Sequence, residues 1–265
     1  MTTNALLSFD IETANIFELK PGESFDKYAP FDITVAAAGF AHEPCRTWYS
    51  EDEQGAPAPK MTRATAHDLL SYLEGHQDNG VRVCAWNGTQ FDLQWIGYVA
   101  QDYAKAGRIA LRAFDPMLQF FWARGFPVGL AKVGQAMGIE QTKLMLGEDA
   151  PVRWRDGDHQ SVIDYVIGDV EITNQIVGAV EEAKAVRWIT ARGTTSSEPM
   201  PNLLPVHEVL KRPLPDQSWM DTPINPWGFT KWIPEEVMSE FGIDRAPIIR
   251  SGNPRSYTGA GPRGS

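Results

Sequence analysis

Asp10 and Glu12 are the first residues of the chain whose types and spacing suggest chemistry. They stand in Ser8-Phe9-Asp10-Ile11-Glu12-Thr13, behind the apolar run Ala5-Leu6-Leu7. Side chains two apart on a strand point the same way, so both carboxylates share one face while Phe9 and Ile11 occupy the other. Two carboxylates held side by side on a buried strand repel each other and resist desolvation. A cation between them relieves both costs, and hard divalent ions such as Mg²⁺ take carboxylate oxygens while keeping positions for water and substrate phosphate. The pair reads either as a metal site for phosphoryl chemistry or as a solvated strand end.

Two further groups carry ionisable residues at suggestive positions. Trp86-Asn87-Gly88-Thr89-Gln90-Phe91-Asp92 lies where a predicted strand gives way to a helix. In open α/β sheets, ligands gather at the carboxyl ends of strands. Asn87-Gly88 makes a tight turn and Asp92 falls in the first helical turn, where a carboxylate also complements the helix dipole. In Tyr165-Val166-Ile167-Gly168-Asp169, a spacing of four puts Tyr165 and Asp169 on one helical face. Taken alone, each of these groups has an ordinary structural explanation.

Their order along the chain is more specific than any one of them. An Asp/Glu pair on the first strand, an Asp after an Asn-Gly turn, and Tyr plus Asp on a late helix resemble the DEDDy branch of the DnaQ-like DEDD 3′–5′ exonuclease superfamily. That family has a ribonuclease-H-like fold. Asp10 to Thr13 resembles its first motif. Asn87-Gly88 with Phe91-Asp92 resembles the second, in the form found in proofreading domains of family B DNA polymerases. Tyr165 and Asp169 resemble the third, and the likeness covers roughly residues 5–190. The sister branch carries His five residues before the last Asp; here that position is Asp164, which directs the resemblance to the tyrosine branch.

The resemblance implies two divalent ions, Mg²⁺ or Mn²⁺, at one phosphodiester. Asp10, Glu12 and Asp169 would be direct ligands, and Asp92 would reach a metal mainly through water. One ion would lower the pKa of water for attack and the other would stabilise the leaving 3′ oxygen. Tyr165 would orient the attacking water; an unperturbed phenol, with a pKa of about 10, is a poor general base. Thr13 and Asn87 match positions that touch the terminal nucleotide in relatives. Phe91 and Trp86 could stack on a base or pack into the core. Arg153-Trp154-Arg155 could hold a single strand's backbone, or form a solvated loop around a half-buried Trp. Asp115 stands before Pro116, which reads as a helix N-cap rather than another ligand.

The elements that must position these groups follow from periodicity. Leu6–Ile11, Ile33–Phe40, Arg46–Tyr49, Val81–Trp86 and Arg108–Phe114 read as strands. Thr65 caps a helix that runs through Leu73 and stops at Gly75; Phe91 to Ala106 reads as a second helix, and Ser161 opens the longest one. The expected architecture is α/β, a ribonuclease-H-like mixed five-stranded sheet flanked by helices, with an irregular Pro/Trp-rich C-terminal extension. Eleven of the 19 prolines lie in residues 191–265, together with Trp219, Trp227 and Trp232. Prolines so placed forbid long helices, and the aromatics argue against simple disorder. The expected organisation is an exonuclease domain over 1–192, irregular structure over 193–250 packed on the core or on a partner, and a mobile tail over 251–265.

Composition bounds the function. With 24 Lys and Arg against 34 Asp and Glu, the net charge is −10, which argues against a general electrostatic grip on nucleic acid. It leaves room for a nuclease whose acidic ligands are reversed locally by bound cations. No run approaches the ~18 apolar residues of a membrane span. No secretory leader is visible and Cys45 and Cys84 form no disulfide or zinc pattern, so a cytoplasmic setting is expected. The leading expectation is a stand-alone 3′–5′ exonuclease acting on single-stranded 3′ ends, DNA favoured over RNA, in proofreading or repair, with the C-terminal extension as one place where a protein partner could dock. The alternatives are an exoribonuclease, and a non-catalytic nucleic-acid-binding module on the same fold.

Overall fold

A computed structural model of the chain describes residues 5–139, apart from 19, 21, 22 and 24, and residues 147–245. The expected tail, 251–265, lies outside the described residues. The elements run in the order β1 (Leu6–Thr13), β2 (Ile33–Phe40), β3 (Arg46–Tyr49), α1 (Arg63–Asp78), β4 (Arg82–Cys84), α2 (Asp92–Ala100), α3 (Tyr103–Arg112), α4 (Pro116–Arg124), α5 (Leu130–Met137), α6 (Ala150–Arg155), α7 (His159–Ala183), β5 (Ala185–Ile189), β6 (Thr195–Pro199), α8 (Val206–Val209) and α9 (Glu235–Glu240). The main sheet has the order β3-β2-β1-β4, antiparallel except for the parallel pair β1–β4. It is the mixed sheet flanked by helices that the sequence leads one to expect.

The two faces of β1 part as its alternation requires. Leu7, Phe9 and Ile11 enter a core shared with α1, α2, α3 and the C-terminal segment. On the other face Asp10 is paired with Ala37 and Glu12 with Val35, and those two residues pack against Val162, Tyr165, Val166 and Val170 of α7. The acidic pair therefore faces the long helix. The β1–β2 register slips between Glu12 and Thr13, leaving Thr34 as an extra residue, with its hydroxyl donating to the Glu12 carbonyl at 3.1 Å. Such a bulge re-aims side chains at the end of a strand.

Two expectations are corrected. Residues 108–112 are helix, not strand. Ala106, Ile109, Ala110 and Ala113 line one helical face and are all buried, so the periodicity of 3.6 prevails over the alternation of Ile109, Leu111 and Ala113. Only Phe114 remains of the fifth strand, as a single bridge to Cys84. The helix expected over 91–106 is broken at Gln101, which takes a left-handed conformation, φ 54°, and lets α2 and α3 fold side by side. β5 and β6 pair around a turn containing Gly193, φ 76°, and Val186 and Trp188 are buried against Phe120.

Smaller shifts occur at the other ends. Helix α1 is capped by Thr62, whose hydroxyl accepts from Thr65 N–H, and it continues past Gly75 to Asp78. Helix α7 begins at His159. The segment after 199 is built into the core: Val206, Val209, Phe229, Ile233, Val237 and Met238 are buried in the same cluster as Phe9 and Leu70. Within its described part, Leu214 and Trp219 are the large hydrophobic residues left exposed, at 45% and 60%. No helix among the described residues is long and apolar enough to cross a membrane.

Candidate metal centre

The carboxylates of Asp10, Glu12 and Asp169 each offer an oxygen, all within 4.8 Å of one another. Asp92 completes the group from α2 and lies within hydrogen-bonding reach of Asp10. Positions separated by up to 159 residues of chain thus meet in one group, and three of them, Asp10, Glu12 and Asp92, line a cleft of about 400 Å³. Its walls include Asp10, Glu12, Thr13, Asn87, Phe91 and Asp92, all expected at a site from the sequence. Asn15, Phe17, Gly147, Glu148 and Pro151 also line it and were not foreseen. Asn15 and Phe17 follow the first motif in an irregular segment, and Gly147, Glu148 and Pro151 enter from the start of α6 and the turn before it, so neither periodicity nor motif spacing marks them.

Burial sets the electrostatics. Asp10 is held well above the ordinary carboxylate range, first by desolvation and then by repulsion from Asp92, Asp169 and Glu12. Glu12 is raised by desolvation and by the charges of Asp169 and Asp92. Desolvation pushes Asp92 up to about 7, against the hydrogen bond with Asp10 and a backbone N–H bond from Ile11. Without a cation the group therefore retains protons near neutral pH. Asp92 is only 2% exposed, and its Oδ1 is buried with no hydrogen-bond partner among the described residues. An orphaned buried oxygen beside three convergent carboxylates is a donor set suited to hard divalent cations.

Tyr165 lies one turn before Asp169 on α7, is hydrogen-bonded to it, and is 9% exposed. Its phenol is driven upward by burial and by the Asp169, Glu12 and Asp10 carboxylates. It is thus a hydrogen-bond donor at neutral pH, still less suited to act as a base than a free phenol.

The turn carrying Asp92 is clamped from two sides. Asn87 takes φ 65°, which Asn tolerates better than most residues, and a Cβ at Gly88 would meet Ala85 Cβ at 2.4 Å. Asp115, 2% exposed, accepts from the backbone N–H groups of Asn87, Thr89 and Leu118, each at 3.0 Å. It caps α4 as its sequence position suggests, and it also fixes the turn. From the opposite side Trp232, in the C-terminal segment, donates its indole N–H to the Thr89 carbonyl at 2.8 Å. Trp86 is anchored by its indole N–H on Val128 O at 3.0 Å.

Arg153 and Arg155 do not reach this cleft. Arg153 pairs with Asp158 at 3.2 Å and Arg155 with Asp156 at 2.8 Å, on the exposed side of α6. Trp154 between them is buried against α7 and donates to Ala58 O at 2.9 Å. The burial of Trp154 turns its two charged neighbours outward, so the trio is a packed Trp between exposed ion pairs.

No family model matches the chain, and no curated protein matches it. Among solved structures it is similar to exonuclease I. One match, described as suggesting how processivity is achieved, has 16% identity and a TM-score of 0.41, over 68% of this chain and 41% of that one. A product-bound exonuclease I has 14% identity and a TM-score of 0.40, over 91% and 69% of the two chains. Escherichia coli exonuclease I in complex with a dT13 oligonucleotide has 15% identity and a TM-score of 0.40, over 92% and 69%. The chain spans less than half the length of the first of these. The likenesses are distant.

Proposed function

We propose that the chain is a metal-dependent 3′–5′ exonuclease that hydrolyses single-stranded DNA ends to nucleoside monophosphates. The observation that carries this reading is the convergence of the Asp10, Glu12, Asp92 and Asp169 carboxylates, with Tyr165 beside Asp169, next to a cleft that Asp10, Glu12 and Asp92 line. Asp10, Glu12 and Asp169 would hold two divalent cations, Mg²⁺ or Mn²⁺, with Asp92 supporting them. When bound, the cations supply positive charge to the phosphodiester oxygens and make hydroxide available near neutral pH.

The chain's own residues do the positioning on which phosphoryl transfer depends. The carboxylates would hold the cations in their ionised form, as fixed negative charges. Tyr165, its O–H held by Asp169, would orient the attacking water through its phenol oxygen. Thr13 and Asn87 contact the terminal nucleotide from β1 and from the clamped turn, and Phe91 bounds the space for its base. Residues 1–192 carry these groups, and the C-terminal segment braces them through Trp232. DNA is favoured because the second motif takes the form found in polymerase proofreading domains, which also makes proofreading or repair the setting.

The test is digestion of 5′-labelled DNA and RNA oligonucleotides with Mg²⁺, with Mn²⁺ and with EDTA. The expected result is stepwise shortening of single-stranded DNA with release of nucleoside 5′-monophosphates, abolished by EDTA. Faster shortening of RNA would make the enzyme an exoribonuclease. Unaltered substrates with both metals would remove the catalytic reading.

A further inference from the structure

A second cleft, of about 670 Å³, is lined among others by Lys60, Arg63, Tyr98, Gln101 and Tyr103. Three links tie it to the catalytic cleft. Asp32, on its wall, accepts from Ala14 N–H through its carbonyl at 2.8 Å and donates its own N–H to Asn15 Oδ1 at 2.8 Å, and Asn15 lines the catalytic cleft. Met61 N–H bonds Ile33 O at 2.6 Å, which puts the start of α1 at the same end of the sheet as Glu12 and Thr13. Arg63 Nε donates to Ala100 O at 3.0 Å, closing α2 onto α1. Helix α2 therefore runs across the active end of the molecule, with Phe91 at the catalytic cleft and Tyr98 at the second. Along it the rings of Phe91, Trp95 and Tyr98 follow one another at 6.4 and 6.2 Å, from one cleft to the other. Seven helical residues span about 10 Å, or about three stacked nucleotides at roughly 3.4 Å each.

The lining has the chemistry of a single-strand groove: cations for phosphates and half-buried tyrosine rings for bases. Lys60 is paired with Asp32 at 3.0 Å, but its side chain is 62% exposed. Such a pair is worth little, and a phosphate can take the place of the carboxylate. In a chain of net charge −10, two cations beside the metal centre are where a polyanion would be held.

We infer that this second cleft binds the polynucleotide strand upstream of the terminal nucleotide, gripping its phosphates with Lys60 and Arg63. The inference rests on the exonuclease reading and extends it to the substrate's length. The test compares the parent with Lys60→Gln/Arg63→Gln on two substrates: dodecathymidylate, and the p-nitrophenyl ester of thymidine 5′-monophosphate, which fills the catalytic cleft alone. The variant should raise KM for dodecathymidylate about tenfold at physiological salt and flatten its log–log salt dependence by about 1.4, for two phosphate contacts. Its constants on the ester should match the parent's. An unchanged KM for dodecathymidylate, or an equal loss on both substrates, would overturn the inference. A parent that cleaves neither substrate would refute the exonuclease reading instead. The groove is then decided by anisotropy of a labelled dodecathymidylate: weaker binding by the variant supports it, and equal affinity overturns it.

Discussion

At the scale of single residues, the site is a set of convergent carboxylates that the fold drives toward the protonated form. Burial and mutual repulsion raise Asp10 and Glu12, and burial takes Asp92 to about 7. A carboxyl whose folded pKa exceeds its unfolded value of about 4 favours folding while protonated. That contribution is complete below about pH 4 and lost as pH rises through about 7. The metal-free parent should therefore lose melting temperature relative to Asp92→Asn between about pH 5 and pH 8, measured in EDTA. A constant gap across that range would contradict the buried assignment. Mg²⁺ or Mn²⁺ should raise the parent's melting temperature by mass action, and hardly that of Asp10→Ala/Asp169→Ala. Tyr165→Phe should slow turnover about 10²-fold through lost orientation of the water while keeping the metal-induced shift. Asp10→Ala should lose both. These residues were legible from type and spacing, because a strand period of two and a helical spacing of four are local properties.

At the scale of elements, the turn 87–91 matters most, because it joins β4 to the start of α2 and so places Asp92. Asp115→Ala would leave three buried backbone donors without their acceptor and should cost roughly 3–5 kcal/mol in urea unfolding. Asp115→Asn keeps one acceptor oxygen and should recover part of that loss. Trp232→Phe removes the bond to Thr89, about 1 kcal/mol, together with part of the indole's packing on the core, and should lower kcat more than it raises KM. An unchanged kcat would mean that the C-terminal brace has no part in positioning Asp92. Asp115 as a cap was readable from Asp-Pro alone. Its hold on Asn87 and Thr89 was not, because those contacts span 28 and 26 residues and exist only once α4 docks beside the turn.

At the scale of the whole molecule, the C-terminal segment belongs to the same core as the sheet. A Cβ at Gly107 would meet Ile233 Cγ2 at 2.8 Å, so α3 and this segment pack without clearance. Arg108 and Glu240 pair across the same contact at 2.7 Å. Ile233→Ala should cost about 2–4 kcal/mol of unfolding free energy, a cavity at a site 1% exposed. A chain ended at residue 192 should fail to give a cooperative melt; a melt as sharp as the parent's would show that the core closes without Phe229, Ile233 and Val237.

By itself the amino-acid sequence determined the acidic motifs, the strand faces, the long helix with Tyr165 and Asp169, and the character of Asp115 as a cap. Each of these depends on residues within one or two turns of one another. Tertiary structure decided the rest. It brought Asn15, Phe17 and Glu148 to the cleft wall, turned Arg153 and Arg155 away from it, made a helix of 108–112, and set Trp232 against the turn that carries Asp92. Those outcomes depend on which surfaces bury one another. Burial is a property of packed elements, and no local spacing encodes it.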